Sequence, residues 1–556
     1  MAIRGADGCE RPDRVLNFNI GILGHVDSGK TSLAKAISQV AGTAAFDKHP
    51  ESRRRGMTID LGFSSFLVPA AQMVRYLANG LFPYDAVQIT LVDCPGHASL
   101  FRTVIGGAQI VDMIFLVVDA AKGIQPQTAE CIVLADIMCP SKMLIALNKV
   151  DTLPVSERHE CLARVERNIR KSLKTTSFRH AYILPLSVDP PDHALIDQFL
   201  QCFFNELYVP NREAVADAPF VFYFDHCFNI RGQGTVMTGT VISGTVKRGS
   251  VVEIPALQEE RKVKSIQSFH RRLNSIGPGD RAGICLPQLK TSQLTSERGL
   301  LCERGCVKMA YGAITSVTKV PYYKFSVASR LKFQLFMGYE TVVAKCCFFA
   351  CRADGCIQDA NSVASFKREG HYDWVDEVLN VRATDKAPCH LFALLLFNNG
   401  INCMQGCRYV ASRLDTPSSS QSLCRFAFHG RTLHLFEDAN FQATNIEWLN
   451  VYKPRVRTGV VERIDKDNMA VVSGMFHKGS NIAPYLGRTV TLSTGEQGML
   501  QMAFGQSGKV KVFLPDGAKE STTNALEKYN PLADEMVRVE MLFKRLMFRN
   551  DPTVFQ

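Results

Sequence analysis

Gly24-His25-Val26-Asp27-Ser28-Gly29-Lys30-Thr31 decides the fold. The largely apolar run Val15–Leu23 leads into it, and Leu33, Ile37 and Val40 follow at helical spacing. The octet is therefore the loop between a buried strand and a helix. In that context it matches G-x-x-x-x-G-K-[ST] in full. The glycines let backbone N–H groups curl around phosphate oxygens, and the new helix points its positive end at them. Asp27, Ser28, Gly29, Lys30, Thr31 and Ser32 are thus expected to cradle a nucleoside triphosphate. Lys30 would reach the β- and γ-phosphates, and the Thr31 hydroxyl would ligate Mg²⁺.

Working outward, Val87–Val92 reads as a strand ending in Asp93-Cys94-Pro95-Gly96-His97. A carboxylate at a strand's carboxyl end suits Mg²⁺, and the Gly96 N–H is then free for the γ-phosphate. Met113–Val118 is a further buried strand, and Leu144–Leu147 runs into Asn148-Lys149-Val150-Asp151. The Asp151 carboxylate can accept two hydrogen bonds from guanine N1 and N2, a donor pair that adenine lacks. Ile183–Leu186 leads to Ser187, placed to support the base. Strands alternating with helices predict a doubly wound, mostly parallel sheet and a guanine nucleotide. Between Thr31 and Asp93 lies Arg55-Gly56-Met57-Thr58, where the Thr58 hydroxyl is placed to close on Mg²⁺ when the γ-phosphate is present.

The chain has 556 residues, too many for one core, and 46% hydrophobic against 21% charged residues exclude wholesale disorder. No run approaches the ~18–20 apolar residues needed to span a bilayer. The first fifteen residues hold no signal-peptide core, so a cytoplasmic protein without membrane contact is expected. A formal charge of +11 permits contact with RNA without requiring it. The eighteen cysteines include three C-x₃-C pairs, Cys302/Cys306, Cys347/Cys351 and Cys403/Cys407. Reduced core thiols are the expectation, with a four-thiolate metal site as the alternative that these spacings support poorly.

After Asn211 the pattern changes to short β-runs with glycine turns. The β-runs predict a multidomain chain, α/β plus all-β, with a small barrel over 211–304 and a second all-β unit over 305–450. The Pro/Ser-rich stretch Asp415–Ser422 reads as a surface loop.

Read together, GHVDSGKT, RGMTID, DCPGH and NKVD resemble the translational GTPases of the elongation factor Tu class. The resemblance makes His97 the residue that positions hydrolytic water, and Val26 and Met57 the apolar gate that restrains it until the ribosome engages. One departure is the triple arginine Arg53–Arg55 where related switches often carry a Glu beside the Arg. Asp225-His226-Cys227-Phe228, Gly232–Gly239 and Gly279-Asp280-Arg281-Ala282-Gly283-Ile284 are similar to the selenocysteine-specific elongation factors. That resemblance places Asp225, His226 and Arg281 around a selenocysteine pocket. The chemistry agrees, since a selenolate is an anion at neutral pH and a serine hydroxyl is not.

Gly459–Arg463, Leu492–Glu496 and Ala503–Lys509 resemble the fourth domain of the eukaryotic and archaeal members. Together these resemblances imply a P-loop GTPase domain over 1–210 followed by three β-barrels, the last over 451–556. Lys509, Lys511, Lys544 and Arg545 are candidate RNA or ribosome contacts there. The implied cofactors are GTP/GDP and Mg²⁺. The implied partners are selenocysteinyl-tRNA, the ribosome, and the selenocysteine-insertion RNA hairpin with its binding protein, engaged by a monomer. Two rivals stand beside this reading. One is another tRNA-carrying GTPase, like elongation factor Tu or initiation factor 2 gamma, against which Ser28 and the added C-terminal barrel argue. The other is an RNA-binding scaffold that no longer hydrolyses GTP, against which Lys30, Thr31, Thr58, Asp93 and His97 argue.

Overall fold

The computed structural model describes residues 15–41, 62–70, 84–94, 111–138, 142–230, 234–268, 271–289, 298–351, 366–378, 390–413, 424–465, 467–505, 507–527, 536–549 and 554–556. Met57, Thr58, Gly96 and His97 lie outside the described residues, as do Arg53–Arg55 and the Pro/Ser-rich stretch Asp415–Ser422. Two compact units emerge. One comprises Met1–Val327, Leu331–Cys346 and Leu395–Glu437; the other comprises Ala328–Arg330, Cys347–Leu394 and Asp438–Gln556.

The first unit opens with a six-stranded sheet. Its strands are β1 (Val15–Gly24), β2 (Gly62–Pro69), β3 (Ala86–Asp93), β4 (Met113–Asp119), β5 (Lys142–Asn148) and β6 (Tyr182–Pro185), in the order β2-β3-β1-β4-β5-β6. All neighbours are parallel except β2, which runs antiparallel along β3 at the edge. Strands β3 and β4 are buried along their whole length, as a sheet covered on both faces requires. One core cluster combines Phe18, Ile20 and Ile22 with Leu33 and Ile37 of helix α1 (Lys30–Ala41), and with Phe199 and Phe203 of the helix His193–Asn205. Phe115 meets Phe199 and Phe203 edge-to-face at 5.0 and 5.3 Å between ring centres.

An antiparallel barrel follows. Strand β7 (Val221–Ile230) lies between β8 (Gly234–Ser243) and the strand Gly299–Cys302, and β8 pairs in turn with Arg281–Leu286. Gly279 explains how closely this barrel joins the six-stranded sheet. A Cβ there would meet an Arg212 guanidinium nitrogen at 1.3 Å. That guanidinium donates to Asp112 Oδ2 at 2.7 Å and to the Asn17 carbonyl at 3.0 Å. The Asn19 amide donates to the Gly279 carbonyl at 3.0 Å.

The second unit contains a closed barrel. Asn450–Asp465 pairs with Met469–Ser473, that strand with Lys509–Phe513, and Lys509–Phe513 with Gln497–Phe504. Thr489–Leu492 links Gln497–Phe504 to Arg538–Leu546, which returns to Asn450–Asp465 over nine paired positions. Closure leaves no unpaired edge. The alternation of Arg538–Leu546 sends Val539, Met541 and Phe543 into a core shared with Val461, Val472, Val510 and Val512.

Candidate functional site

The loop between β1 and α1 is built from backbone that side chains would obstruct. Gly24 has φ +152° and Gly29 has φ +94°. A Cβ on Gly24 would sit 2.3 Å from the Val117 carbonyl oxygen, and one on Gly29 would sit 2.1 Å from Asn148 Nδ2. Asp27 adopts the left-handed region at φ +60°. The Asn148 amide donates to the Ser28 carbonyl at 2.9 Å, so the end of β5 pins the loop from outside. Asn148 thereby positions the loop. The Ser28 hydroxyl and the Asn148 Oδ1 are buried without a hydrogen-bond partner, as expected of a cradle shaped for a polar ligand.

Lys30 is 6% exposed, and its ammonium donates to the His25 carbonyl at 2.6 Å. Burial pulls its pKa below the ordinary lysine value, against the opposing charge of Asp93. A phosphate would relieve that deficit. The Thr31 hydroxyl donates to Asp93 Oδ2 at 2.5 Å, which brings together two hard oxygen donors of the kind Mg²⁺ takes. Val26 donates its N–H to Gln127 Oε1 at 3.4 Å and is half-buried. Ser32 stands in the first turn of α1.

At the base-recognition end, Asp151 is exposed, and its Oδ1 lies 2.9 Å from the buried Ser187 hydroxyl. Ser187 therefore steers the carboxylate. Lys149 has φ +66°, and its ammonium pairs at 3.3 Å with Asp119, a carboxylate only 5% exposed at the end of β4. Asp119 was not singled out from the sequence; its signal is the same acid-at-strand-end pattern that marks Asp93.

The barrel site is assembled across strands. The register of β7 against β8 shifts between Phe224 and His226, so Asp225 sits at a bulge that re-aims its side chain. Arg281 grips it with two bonds, Nη1 to Oδ2 at 2.7 Å and Nη2 to Oδ1 at 2.9 Å. The pair is nearly buried, with side chains 9% and 13% exposed. His226 Nε2 lies 4.0 Å from Asp225 Oδ1 and is the more open of the two at 39%. Phe63 of β2 covers the guanidinium, its ring centre 3.1 Å from Arg281 Cζ. Phe63 carries no motif and escaped sequence reading. It follows Thr58 by five residues.

In the second unit Lys509 pairs with Glu462 at 2.6 Å and Lys511 with Asp465 at 3.0 Å, so both cations are already met by carboxylates. Lys511 also lies 5.0 Å from the Phe504 ring centre. Lys544 is half-buried and Arg545 exposed on the strand Arg538–Leu546. Among the described residues no group of three or more His, Cys, Asp or Glu is arranged to hold a metal, and the fourteen cysteines among them are free thiols. No described helix is long and apolar enough to cross a membrane.

Comparison with known proteins agrees with this geometry. The elongation factor Tu GTP binding domain family matches residues 16–331. The eukaryotic third domain of selenocysteine-specific elongation factor matches 314–430, and the C-terminal RIFT domain of the eukaryotic factor matches 448–551. The selenocysteine-specific elongation factor of Mus musculus is 40% identical over 547 residues, covering 93% of this chain and 92% of that one. This chain belongs to the selenocysteine-specific elongation factors. It is a translational GTPase of selenocysteine incorporation, and neither rival reading is favoured. The factor from Methanocaldococcus jannaschii is 30% identical, over 74% of this chain and 79% of its own. In fold, the chain is similar to SelB of Methanococcus maripaludis in complex with the GTP analogue GppNHp. The TM-score is 0.67 at 23% identity, over 96% of this chain and 99% of that one.

Proposed function

We propose that this selenocysteine-specific elongation factor carries selenocysteinyl-tRNA to the ribosome at recoded UGA codons and uses GTP hydrolysis to time its release. The observation that carries the reading is the Arg281–Asp225 pair beside His226, capped by Phe63, on a barrel joined to a phosphate-binding loop.

The loop N–H groups of Asp27, Ser28, Gly29, Lys30, Thr31 and Ser32 bind the phosphates, with Gly96 on the γ-phosphate. Thr31, Thr58 and Asp93 would hold Mg²⁺, which when bound neutralises charge on the β- and γ-phosphates. Asn148, Lys149, Asp151 and Ser187 bind the guanine end of the nucleotide, with Asp151 selecting the base. Val26 and Met57 restrain His97 until ribosome contact, and His97 then orients water for in-line attack on the γ-phosphate. Asp225, His226 and Arg281 read the aminoacyl group. Lys509, Lys511, Lys544 and Arg545 touch RNA or ribosome, and the insertion hairpin with its binding protein directs the complex to its codon. The protein acts as a cytoplasmic monomer with the domain limits given by the sequence: 1–210, 211–304, 305–450 and 451–556.

The deciding experiment measures dissociation constants of the selenocysteinyl and seryl forms of one tRNA with GTP present. A clear preference for the selenocysteinyl form is expected, and equal affinities would overturn the assignment of the pocket. Single-turnover hydrolysis on ribosomes tests the timing step, where His97→Ala should lose roughly 10²-fold if the histidine orients water.

A further inference from the structure

Two short segments of the first unit repeat one design. Cys302-Glu303-Arg304-Gly305-Cys306 and Cys403-Met404-Gln405-Gly406-Cys407 each begin on the last residue of a strand and reverse at once. In both, the N–H of the second cysteine donates 3.3 Å to the carbonyl of the residue after the first, Glu303 or Met404. In both, the glycine before the second cysteine is left-handed, at φ +74° for Gly305 and +79° for Gly406. The reversal brings the two cysteines of each pair back beside one another, while the Cys306 thiol donates to the Phe220 carbonyl at 3.9 Å. Cys302 and Cys306 pack with Val221, Tyr223, Leu300 and Tyr339 in one cluster.

The pairs differ in access. Cys403 and Cys407 are 4% and 8% exposed, and Cys407 is held by the Tyr223 hydroxyl as well as by Cys403. Cys302 is fully buried, whereas Cys306 is half-exposed on a turn whose Glu303, Arg304 and Gly305 face solvent.

We propose that Cys302 and Cys306 form a peroxide-reactive dithiol, with Cys306 the attacking thiolate and Cys302 the resolving thiol.

The chemistry closes without any group beyond a hydroperoxide. The Cys306 thiolate attacks one peroxide oxygen, the O–O bond breaks, and the departing hydroxide takes a proton and leaves as water. Cys306 is then a sulfenic acid. The Cys302 sulfur attacks the Cys306 sulfur, the S–O bond breaks, and a second water leaves with the Cys302 proton. Two thiols have lost two electrons and two protons, and the peroxide has been reduced to two waters. An external thiol reverses the step by exchange.

The electrostatics support this division of labour. The neighbouring Cys306 thiol, together with burial, raises the Cys302 pKa. The Cys302 thiol beside it lowers the pKa of Cys306, against burial and the charges of Glu303 and Glu253. Thiolate character and access therefore coincide on one sulfur, as site-selective oxidation requires. The buried pair is the internal control: it has the same turn and the same thiol contact without the opening.

The test uses the full reduced chain and hydrogen peroxide near one equivalent, with timed alkylation by iodoacetamide and peptide mass mapping without reductant. The Cys302–Cys306 disulfide should appear first, two hydrogens lighter, and dithiothreitol should remove it. Before oxidation, Cys306 should alkylate at least about tenfold faster than Cys302, Cys403 or Cys407, since reactivity follows thiolate fraction and access. Cys302→Ser should strand Cys306 as a sulfenic acid that dimedone traps, and Cys306→Ser should leave Cys302 unoxidised. The wild-type mapping decides the matter even if a variant folds poorly. Oxidation appearing first at Cys403–Cys407, or Cys306 alkylating no faster than Cys302, would overturn the proposal.

Discussion

Lys30 and Arg281 are both cations held inside the first unit, and they are held in opposite ways. Lys30 rests on a backbone carbonyl, and burial outweighs the nearby Asp93 charge, so its pKa falls. Arg281 is gripped by both oxygens of Asp225 and covered by Phe63. An anion arriving at Lys30 meets a charge in deficit and gains strongly. An anion arriving at Arg281 must share the guanidinium with a carboxylate already in place. The first arrangement suits affinity and the second suits selection, because only a ligand with the right charge and shape can join the pair. In the proposed function a selenolate would therefore be read by the Arg281–Asp225–His226 group as a whole, not by a lone guanidinium.

The contrast breaks most severely at Arg281→Ala. Removing one partner of a nearly buried ion pair leaves Asp225 uncompensated, which costs about 3–5 kcal/mol of stability. Thermal unfolding of the variant should show it. The selenocysteinyl form should lose about 10- to 150-fold in affinity, as for a charged hydrogen bond of roughly 1.5–3 kcal/mol, while the seryl form is spared. Arg281→Lys should rescue only partly, since an ammonium lacks the planar fork. Equal losses for both tRNAs would mean that Arg281 holds the barrel and not the aminoacyl group.

The phosphate side should fail by geometry. Gly29→Ala puts a methyl 2.1 Å from Asn148 Nδ2 on backbone at φ +94°. The left-handed strain of roughly 1–2 kcal/mol adds to a lost hydrogen bond of about 1 kcal/mol. GTP affinity should fall by about 10²-fold in equilibrium titration, with barrel stability unchanged. A loss below about threefold would mean that the Asn148 contact does not set the loop.

These two sites were legible in the sequence to different degrees, for a physical reason. The loop Gly24–Thr31 is contiguous, so strand, turn and helix signals sit side by side in the chain. The Arg281–Asp225 pair joins residues 56 apart, and its contact depends on the registers of β7 and β8 and on one bulge. Both residues could be named by resemblance, but their mutual neutralisation could not. Phe63 was invisible because an aromatic in an edge strand reads as core. Only the alternation of β2, which leaves Phe63 half-exposed beside buried Ser64 and Phe66, marks it as facing elsewhere. The C-terminal barrel was expected from resemblance, but which strands close it was hidden, since Asn450–Asp465 pairs with a strand some ninety residues later.

Asp151→Asn sharpens the nucleotide side further. The amide keeps the Ser187 contact through its oxygen but replaces one of the two carboxylate acceptors that guanine N1 and N2 need by a donor, which suits a carbonyl. GTP should weaken by about 10- to 150-fold, the value of a charged hydrogen bond, and xanthosine triphosphate should improve. Competition between the two nucleotides reads this directly, and an unchanged preference for GTP would remove Asp151 from base recognition.

The smallest effect is expected where the two sites approach each other, at Phe63→Leu. Leucine preserves β2 pairing and much of the apolar cover but removes the π-face over Arg281. A cation–π contact of roughly 0.5–2 kcal/mol corresponds to about a two- to thirtyfold loss in affinity. If Phe63 merely packs against the barrel, both charged tRNAs should weaken together and the nucleotide should not matter. If it carries the nucleotide state from the segment preceding β2 to the pocket, the selenocysteinyl form alone should weaken with GTP bound. With GDP, wild type and variant should then be alike. The measurement is the ratio of GTP-state to GDP-state affinity for selenocysteinyl-tRNA in both proteins, with Arg281→Lys as the reference for a pocket that keeps its charge. A ratio unchanged by Phe63→Leu would show that the phosphate site and the aminoacyl pocket communicate by another route, and that Phe63 only shields the Arg281–Asp225 pair from water.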